Sequence, residues 1–285
     1  MNHTTLYRNM INLKLSIVIV EYHSISEIKK CAASIKAHIK MPFEIIVSSN
    51  SCYNKQQQEA INQSDTNIHW LFNEKNGGFA YAMNEGLKTA KGDYLVIMNS
   101  DCTFVSALDN MINFMEKHPE VGAIAPQMRD ADGNIQDTAR PYVSLPRYIW
   151  RQVKRVIGHK VSILDTKIDY TKTQTVDWLI GAFIMVSRKA YELTGGLDDD
   201  LFMYAEDLDW CTRIRQQGFE VVYYPECTII YKGTRRARSN TKYARIFIRS
   251  HVIYWRKFGF FWGYPTRKQI VYNSKQWKHS NGQYH

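Results

Sequence analysis

Three carboxylates fall within four residues in the stretch Tyr204-Ala205-Glu206-Asp207-Leu208-Asp209-Trp210. Amid apolar neighbours such a cluster is costly unless it is exposed or used. The helical pattern that follows places Glu206 and Asp207 in a first turn, where the helix dipole favours their ionised forms. A carboxylate so placed can accept a proton from a hydroxyl. Asp209 has another employment, because Arg213 lies four residues on and pairs with it across one turn. Glu206 also reads as an ordinary first-turn charge, which leaves Asp207 as the candidate base.

Two further patches have types and spacing suited to a phosphorylated ligand. Asn99-Ser100-Asp101 follows the apolar run Tyr94–Met98. A carboxylate at a strand end can hold a hard divalent cation against phosphate oxygens, although a plain strand-ending turn uses the same residue types. Asn73-Glu74-Lys75-Asn76-Gly77-Gly78-Phe79 precedes a helical stripe with Ala82, Asn84 and Gly86. Paired glycines before a helix let backbone amides approach an anion, and a loop giving way to a helix accounts for them equally well.

The elements that must position these patches alternate. Leu15–Val20, Phe43–Val47, Ile68–Phe72 and Tyr94–Met98 read as strands. Ser24 and Glu27 form a capping-box pattern ahead of a helical stripe at Ile28, Cys31, Ala32, Ile35 and Ile39. A second stripe runs from Phe79 to Ala90 with Gly92 as its stop, and a third, Leu108–Met115, closes at Pro119. Short apolar strands separated by such stripes predict an α/β fold with a mostly parallel sheet covered on both faces. Ligands gather beyond the carboxyl ends of such strands. Residues 127–175 are less regular: Asp130-Ala131-Asp132-Gly133 reads as a turn, and Pro141 and Pro146 bracket a loop. Val176–Val186 fits one or two inner strands and Leu208–Arg215 a helix. Val221–Tyr224 and Thr228–Tyr231 fit strands, and Tyr243–Lys257 a helix.

Composition narrows the class. The 285 residues are 45% hydrophobic, enough for a full core, and carry 37 Lys and Arg against 27 Asp and Glu. The excess gathers at Arg151, Lys154, Arg155 and Lys160 and, more heavily, from Lys232 onward, interleaved with Tyr254, Trp255, Phe258 and Trp262. Such a tail suits phosphates or an anionic membrane surface; an aromatic helix packed on the domain is compatible with the same pattern. No signal peptide or membrane span is expected. The five scattered cysteines and nine histidines lack metal-type spacing, so reduced thiols and a cytoplasmic setting are expected.

Taken together, the patches resemble family-2 glycosyltransferases of the GT-A fold, in the rhamnosyltransferase-like branch that builds bacterial surface polysaccharide. The resemblance is carried by Glu21-Tyr22-His23, by Asn76-Gly77-Gly78-Phe79-Ala80-Tyr81-Ala82-Met83-Asn84-Glu85-Gly86, and by Asn99-Ser100-Asp101. It continues through Gly181-Ala182, Gly195-Gly196-Leu197-Asp198-Asp199 and Tyr204-Ala205-Glu206-Asp207-Leu208-Asp209. It implies an inverting single displacement in which Asp207, the second acid of the Glu206-Asp207 pair, deprotonates an acceptor hydroxyl. Asp101 would hold Mg²⁺ or Mn²⁺ against the diphosphate of a dTDP- or UDP-sugar, with L-rhamnose favoured. Val20, Tyr22, Ser49 and Asn50 would flank the base, and the segment from Asn76 to Asn84, with Asn99, would face the donor. Gly181, Ala182, Trp178 and Tyr204 fall on the acceptor side. The acceptor would be a growing glycan, including one on a lipid carrier at the inner membrane face. It also implies a catalytic domain over residues 15–232, with a nucleotide-binding half (15–101) and an acceptor half (102–232). A lead-in (1–14) and a basic-aromatic helical extension (233–285) flank it, and the extension is also suited to a homodimer contact.

This chain departs from the family pattern at three places. Ser49-Asn50 stands where Asp-Asn is usual, Tyr231-Lys232 where a metal-binding His is common, and His23 where Asn is usual. Lys232, Arg235 and Arg236 are therefore candidates to carry phosphate charge. Those departures also fit a degenerate, non-catalytic protein that binds nucleotide-sugar or glycan. A nucleotidyltransferase would want a glycine-rich loop after the first strand, and Glu21–Ile25 has no glycine. Nucleic-acid binding rests on charge and aromatics alone and is not expected.

Overall fold

The computed structural model describes residues 13–142, 144–157, 168–233 and 241–259. The apolar runs β1 (Leu15–Glu21), β2 (Phe43–Ser49), β3 (Ile68–Phe72) and β4 (Tyr94–Asn99) lie parallel in the order β3-β2-β1-β4. Leu15, Ile17, Val18 and Ile19 are all buried, so consecutive residues on opposite faces are covered, as a doubly flanked strand requires. The helices α1 (Ile25–His38), α2 (Lys55–Ser64) and α3 (Phe79–Thr89) are the crossovers between them.

Beyond β4 the sheet turns mixed. Chain order continues through β5 (Cys102–Phe104), α4 (Asp109–Lys117), β6 (Val121–Arg129), β7 (Ala139–Arg140), α5 (Leu145–Val156), β8 (Gln174–Thr175), β9 (Trp178–Leu179), β10 (Phe183–Ser187), α6 (Arg188–Thr194), α7 (Glu206–Gln216), β11 (Glu220–Tyr231) and α8 (Thr241–Phe258). Strand β10 inserts antiparallel between β4 and β6, β11 runs parallel to β6, and β5 closes the edge antiparallel to β11. A short ribbon of β7 and β9 stands apart from the main sheet.

Several local expectations are corrected. The Ser24–Glu27 capping box does not form: the Ser24 N–H donates to Glu21 Oε1 at 2.7 Å, and Glu27 receives the Ser26 hydroxyl. A capping box does form at Asn54 and Gln57, ahead of α2, a helix with no buried residue and hence no apolar stripe to announce it. Gly92 is not the helix stop, because α3 ends at an extended Ala90. A Cβ at Gly92 would meet the Ser16 backbone at 2.6 Å, and its N–H donates to Ser16 Oγ. Pro146 does not bound a loop but sits in the first turn of α5, where its missing N–H costs nothing. The last two strand runs are one strand, β11, with a register shift between Tyr224 and Thr228 around Pro225. Strand β6, interrupted in sequence by Gly122 and Pro126, was not anticipated.

Helix α8, the described part of the basic-aromatic extension, packs on the domain. Tyr254 and Trp255 are buried, the Tyr254 hydroxyl meets Thr212 Oγ1 at 3.1 Å, and Ser250 Oγ donates to the Met203 carbonyl at 2.8 Å. The lead-in up to residue 12 and residues 260–285 lie outside the described residues.

One clamp joins the two halves of the fold. Buried Asn84 on α3 donates to the Leu197 carbonyl (2.8 Å) and to Asp199 Oδ1 (2.6 Å), and accepts from the Leu197 N–H (2.9 Å). Glycine at 196 is required for this approach, since a Cβ there would sit 2.1 Å from Asn84 Oδ1. Asn84→Ala leaves the buried Leu197 amide and carbonyl unpaired and should cost about 2–4 kcal/mol of unfolding free energy in a urea titration. An unchanged midpoint would show that the clamp contributes nothing.

Candidate active site

The acid cluster starts at a strained turn. Tyr204 (φ 71°) and Ala205 (φ 64°) are consecutive non-glycine residues in the left-handed region, a conformation costing of order 1–3 kcal/mol each. The turn is pinned from two sides: the Phe202 carbonyl accepts from the Phe79 N–H at 2.7 Å, and the Met203 carbonyl accepts from Ser250. Helix α7 therefore begins abruptly, with Glu206 and Asp207 in its first turn.

The three carboxylates, all buried, have different partners. Asp209 accepts from Arg213 Nε and from Lys257 Nζ, each at 2.6 Å, so the anticipated i,i+4 pair forms and α8 adds a second cation. Asp207 Oδ2 accepts from the Gly181 N–H and Oδ1 from the Leu208 N–H, each at 2.8 Å. Glu206 Oε2 has no hydrogen-bond partner. Burial raises the Asp207 pKa, opposed by those N–H donors and by the Arg140 guanidinium. Burial, with Asp207 beside it, pushes Glu206 well above the usual carboxylate range. Two adjacent buried acids do not both ionise easily. The two N–H donors and the Arg140 guanidinium favour the charge on Asp207, and the unpartnered Oε2 favours the proton on Glu206.

Gly181 and Ala182 connect this acid to the end of β4. The antiparallel register of β10 with β4 sets Phe183 opposite Met98. The Ala182 carbonyl then accepts from the Asn99 N–H at 3.0 Å, while the neighbouring Gly181 holds Asp207. A Cβ at Gly181 would lie 3.3 Å from that of Asp207. Asn99 Nδ2 donates to the Tyr231 hydroxyl (3.3 Å), and the Lys232 N–H donates to the Asp101 carbonyl (3.4 Å). Residues spread over more than a hundred positions of the chain, Asn99 to Asp101, Gly181-Ala182, Asp207 and Tyr231-Lys232, thus meet around one strand end. Arg235 and Arg236 lie outside the described residues.

No group of three or more His, Cys, Asp or Glu able to hold a metal occurs among the described residues. Asp101 is a lone carboxylate on its turn. Such a donor set fits a cation that completes its shell with phosphate oxygens and water, as Mg²⁺ commonly does, and does not form a closed protein cage. The thiols are free, and burial pushes Cys31 and Cys211 up to about 12, leaving no reactive thiolate there.

On the donor side the sequence reading missed Glu21. This buried carboxylate at the end of β1 receives Ser49 Oγ (2.5 Å), Ser51 Oγ (2.9 Å), the Tyr53 hydroxyl (3.2 Å) and the Ser24 N–H (2.7 Å). It ties the β1–α1 loop to the β2–α2 loop and so positions half-exposed Val20 and exposed Tyr22. Ser49 and Asn50 are buried, and Asn50 bridges the Gly78 carbonyl and Asn73. His23 adopts φ 52°, a left-handed conformation that His tolerates better than most residues. The glycine pair is explained by the chain itself: a Cβ at Gly78 (φ 96°) would meet the Phe202 carbonyl at 2.3 Å, and one at Gly77 the Tyr81 ring at 2.4 Å. Asn76 Oδ1 accepts from the Gly78 N–H, and Phe79 begins α3. Both amide hydrogens of Asn84 are spent on the 197–199 loop, so its side chain serves the fold rather than facing a donor.

On the acceptor side, Arg140 was also missed. It pairs with Asp137 at 2.5 Å and lies 5.1 Å over the Trp178 ring, and it helps hold the Asp207 charge. Its β7 placement across from Trp178 comes from a pairing of only two residues per strand, with no periodicity to detect. Buried Trp178 also donates to the Pro141 carbonyl. The Tyr204 ring meets Phe247 edge-on at 5.5 Å, and Phe247 stacks on His251. Burial pushes His251 down to about 4, so this histidine is neutral at physiological pH.

The fold is the GT-A arrangement of its structural neighbours. The family model described as glycosyl transferase family 2 matches residues 16–195, and the chain belongs to that family. It is 24% identical over 237 residues to an N-acetylglucosaminyl-diphospho-decaprenol L-rhamnosyltransferase of Mycobacterium tuberculosis, covering 76% of this chain and 75% of that protein. It is 25% identical over 230 residues to the rhamnosyltransferase WbbL of Escherichia coli K12, covering 78% and 85%. Among solved structures it is similar to the Pyrobaculum calidifontis mannosyltransferase PcManGT in complex with GDP-Man and Mn²⁺, at TM-score 0.52 and 17% identity, covering 78% of this chain and 58% of that one. It is also similar to GalNAc-T7 with UDP, GalNAc and Mn²⁺, at TM-score 0.60 and 15% identity, covering 96% and 55%. The chain thus spans rather more than half the length of these two.

The Glu206 assignment has a stability signature. The folded chain keeps this proton above pH 4.5, the ordinary value for Glu, where the unfolded chain has lost it. Its contribution is therefore complete below about pH 4.5 and declines as pH rises through the folded value. Glu206→Gln should be more stable than the parent at neutral pH, with the difference shrinking as pH falls toward 4.5, in denaturant titrations across that range. A constant difference would show that Glu206 does not titrate in this way.

Proposed function

We propose that this chain transfers a single sugar from a nucleoside diphosphate donor to an acceptor hydroxyl, with inversion at the anomeric carbon. The favoured donor is dTDP- or UDP-L-rhamnose and the favoured acceptor a growing surface glycan, including one on a lipid diphosphate. The observation that carries the reading is the link through Gly181 and Ala182, which holds the Asp207 carboxylate and the Asn99–Asp101 turn to adjacent residues. The names of the rhamnosyltransferase relatives support the sugar and the acceptor class.

In this reading Asp207 accepts the acceptor proton as the hydroxyl oxygen attacks the anomeric carbon. Neutral Glu206 leaves the charge on Asp207, and the Gly181 N–H fixes which carboxylate oxygen is engaged. Asp101 is the residue that would hold Mg²⁺ or Mn²⁺, which when bound offsets the charge growing on the departing diphosphate. Lys232, whose N–H meets the Asp101 carbonyl, adds positive charge beside that position; Arg235 and Arg236 follow it in sequence. The Glu21-organised loops and Tyr22 receive the nucleoside. Ser49 and Tyr231 are the observations that favour the second reading, a GT-A protein that binds nucleotide-sugar or glycan without turnover.

Calorimetric titration with dTDP, UDP and GDP, each with and without Mn²⁺, tests the donor half. One pyrimidine diphosphate should bind with Mn²⁺, and Asp101→Ala should lose that binding; failure of folded protein to bind any of them would refute the donor assignment. Asp207→Asn should keep nucleotide binding yet lose transfer by on the order of 10²–10⁴-fold, the usual worth of a positioned base. Transfer unchanged in Asp207→Asn would refute the assigned base, and no transfer by the parent with any pyrimidine diphospho-sugar would favour the non-catalytic reading.

A further inference from the structure

Helix α5 has a face that the rest of the described chain does not cover. Ile149, Trp150, Val153 and Ile157 are 53%, 58%, 42% and 62% exposed. Their spacing, i, i+1, i+4 and i+8, places them along one helical stripe, and Leu145 and Pro146 extend its lining. Apolar side chains of this size are ordinary when scattered singly on a surface, but a contiguous row of them marks an interaction site. Tyr148 anchors the helix to the domain, with ring centroids 6.0 Å from Phe247 and 5.8 Å from Trp255. The stripe is therefore held by a docked helix and is not a frayed end.

The charge around the stripe identifies its occupant. Between Tyr142 and Leu164 the sequence has no Asp or Glu, while it carries Arg147, Arg151, Lys154, Arg155 and Lys160. Lys154 Nζ lies 5.6 Å over the Trp150 ring, a cation and an indole together, as found where a helix meets lipid headgroups. A second copy of the chain placed face to face would bring two such cationic segments together with no acid between them. An anionic lipid surface satisfies both the apolar row and the cations.

We propose that α5 docks this protein on an anionic lipid bilayer, with Ile149, Trp150, Val153 and Ile157 below the headgroups and the flanking Arg and Lys among the lipid phosphates. No described helix is long and apolar enough to cross a membrane, so this is contact from one side. Through Tyr148, Phe247 and Tyr204 the docking helix is connected by ring contacts to the turn that precedes Asp207. The inference deepens the reading of a lipid-linked acceptor, and its test uses neither donor nor acceptor.

The full chain is sedimented with vesicles of phosphatidylcholine alone and of phosphatidylcholine mixed with phosphatidylglycerol. It should partition onto the mixed vesicles and weakly onto the neutral ones. The pair Ile149→Asp and Val153→Asp should lower that partitioning by about tenfold or more, since seating even one aliphatic side chain of this size is worth roughly that factor. Both positions are exposed, and unchanged circular dichroism and nucleotide binding confirm that the variant is folded. Should the pair fail to fold, the single change Lys154→Gln at an exposed position should still reduce preference for the anionic vesicles. Equal partitioning of variant and parent would overturn the proposal and move the contact to the basic tail. Failure of the parent to bind mixed vesicles would also overturn it. So would sedimentation velocity showing a parent dimer that the variant dissolves, since a second copy would then cover the face.

Discussion

Everything around α7 depends on the burial of three carboxylates at the start of that helix. Left uncompensated, such a cluster would be among the most destabilising features a chain of this size could carry. Each acid is accommodated differently: Asp209 by Arg213 and Lys257, Asp207 by two backbone N–H groups, and Glu206, with no partner for Oε2, by a pKa that burial pushes up. The surrounding architecture follows from these solutions. Helix α8 must dock on α7 to deliver Lys257, and Gly181 must lie against Asp207 to deliver its N–H. Tyr204 and Ala205 must accept left-handed conformations so that the helix can begin where it does.

The donor half solves a smaller version of the same problem. Glu21 ends β1 with a buried carboxylate and surrounds it with three hydroxyls and an N–H. Ser49, which stands where the family pattern carries an acid, is one of those donors. The carboxylate in this corner of the fold is thus supplied by β1 rather than β2, and it joins the β1–α1 and β2–α2 loops. The clamp of Asn84 on the 197–199 loop then locks this half to the region leading into α7.

Much of the fold was legible because its signals are periodic. The four parallel strands and the stripes of α1 and α3 repeat with the spacing that burial on a sheet demands. What escaped either lacked a period, as α2 buries nothing and β6 contains a glycine and a proline, or, as in α5, turns its periodic stripe away from the core. At Asp101 and Asp207 residue type alone suggested the chemistry, and the structure links their two turns through Gly181 and Ala182. It was not legible at Glu21 and Arg140, whose roles come from partners distant in sequence. Asn84, Gly77 and Gly78 show the converse, because residues that read as ligand-facing are fully employed by contacts inside the chain.

The account turns on which acid of the adjacent pair carries the charge. Carbon-13 carboxyl NMR of the full chain, with Glu206→Gln and Asp207→Asn used to assign the two resonances, measures this without donor or acceptor. The prediction is that the first ionisation of the pair on raising pH belongs to Asp207, and that Glu206 stays protonated after Asp207 has ionised. Glu206 ionising first, or both acids ionising together at the ordinary carboxylate value, would contradict the assignment of Asp207 as the base.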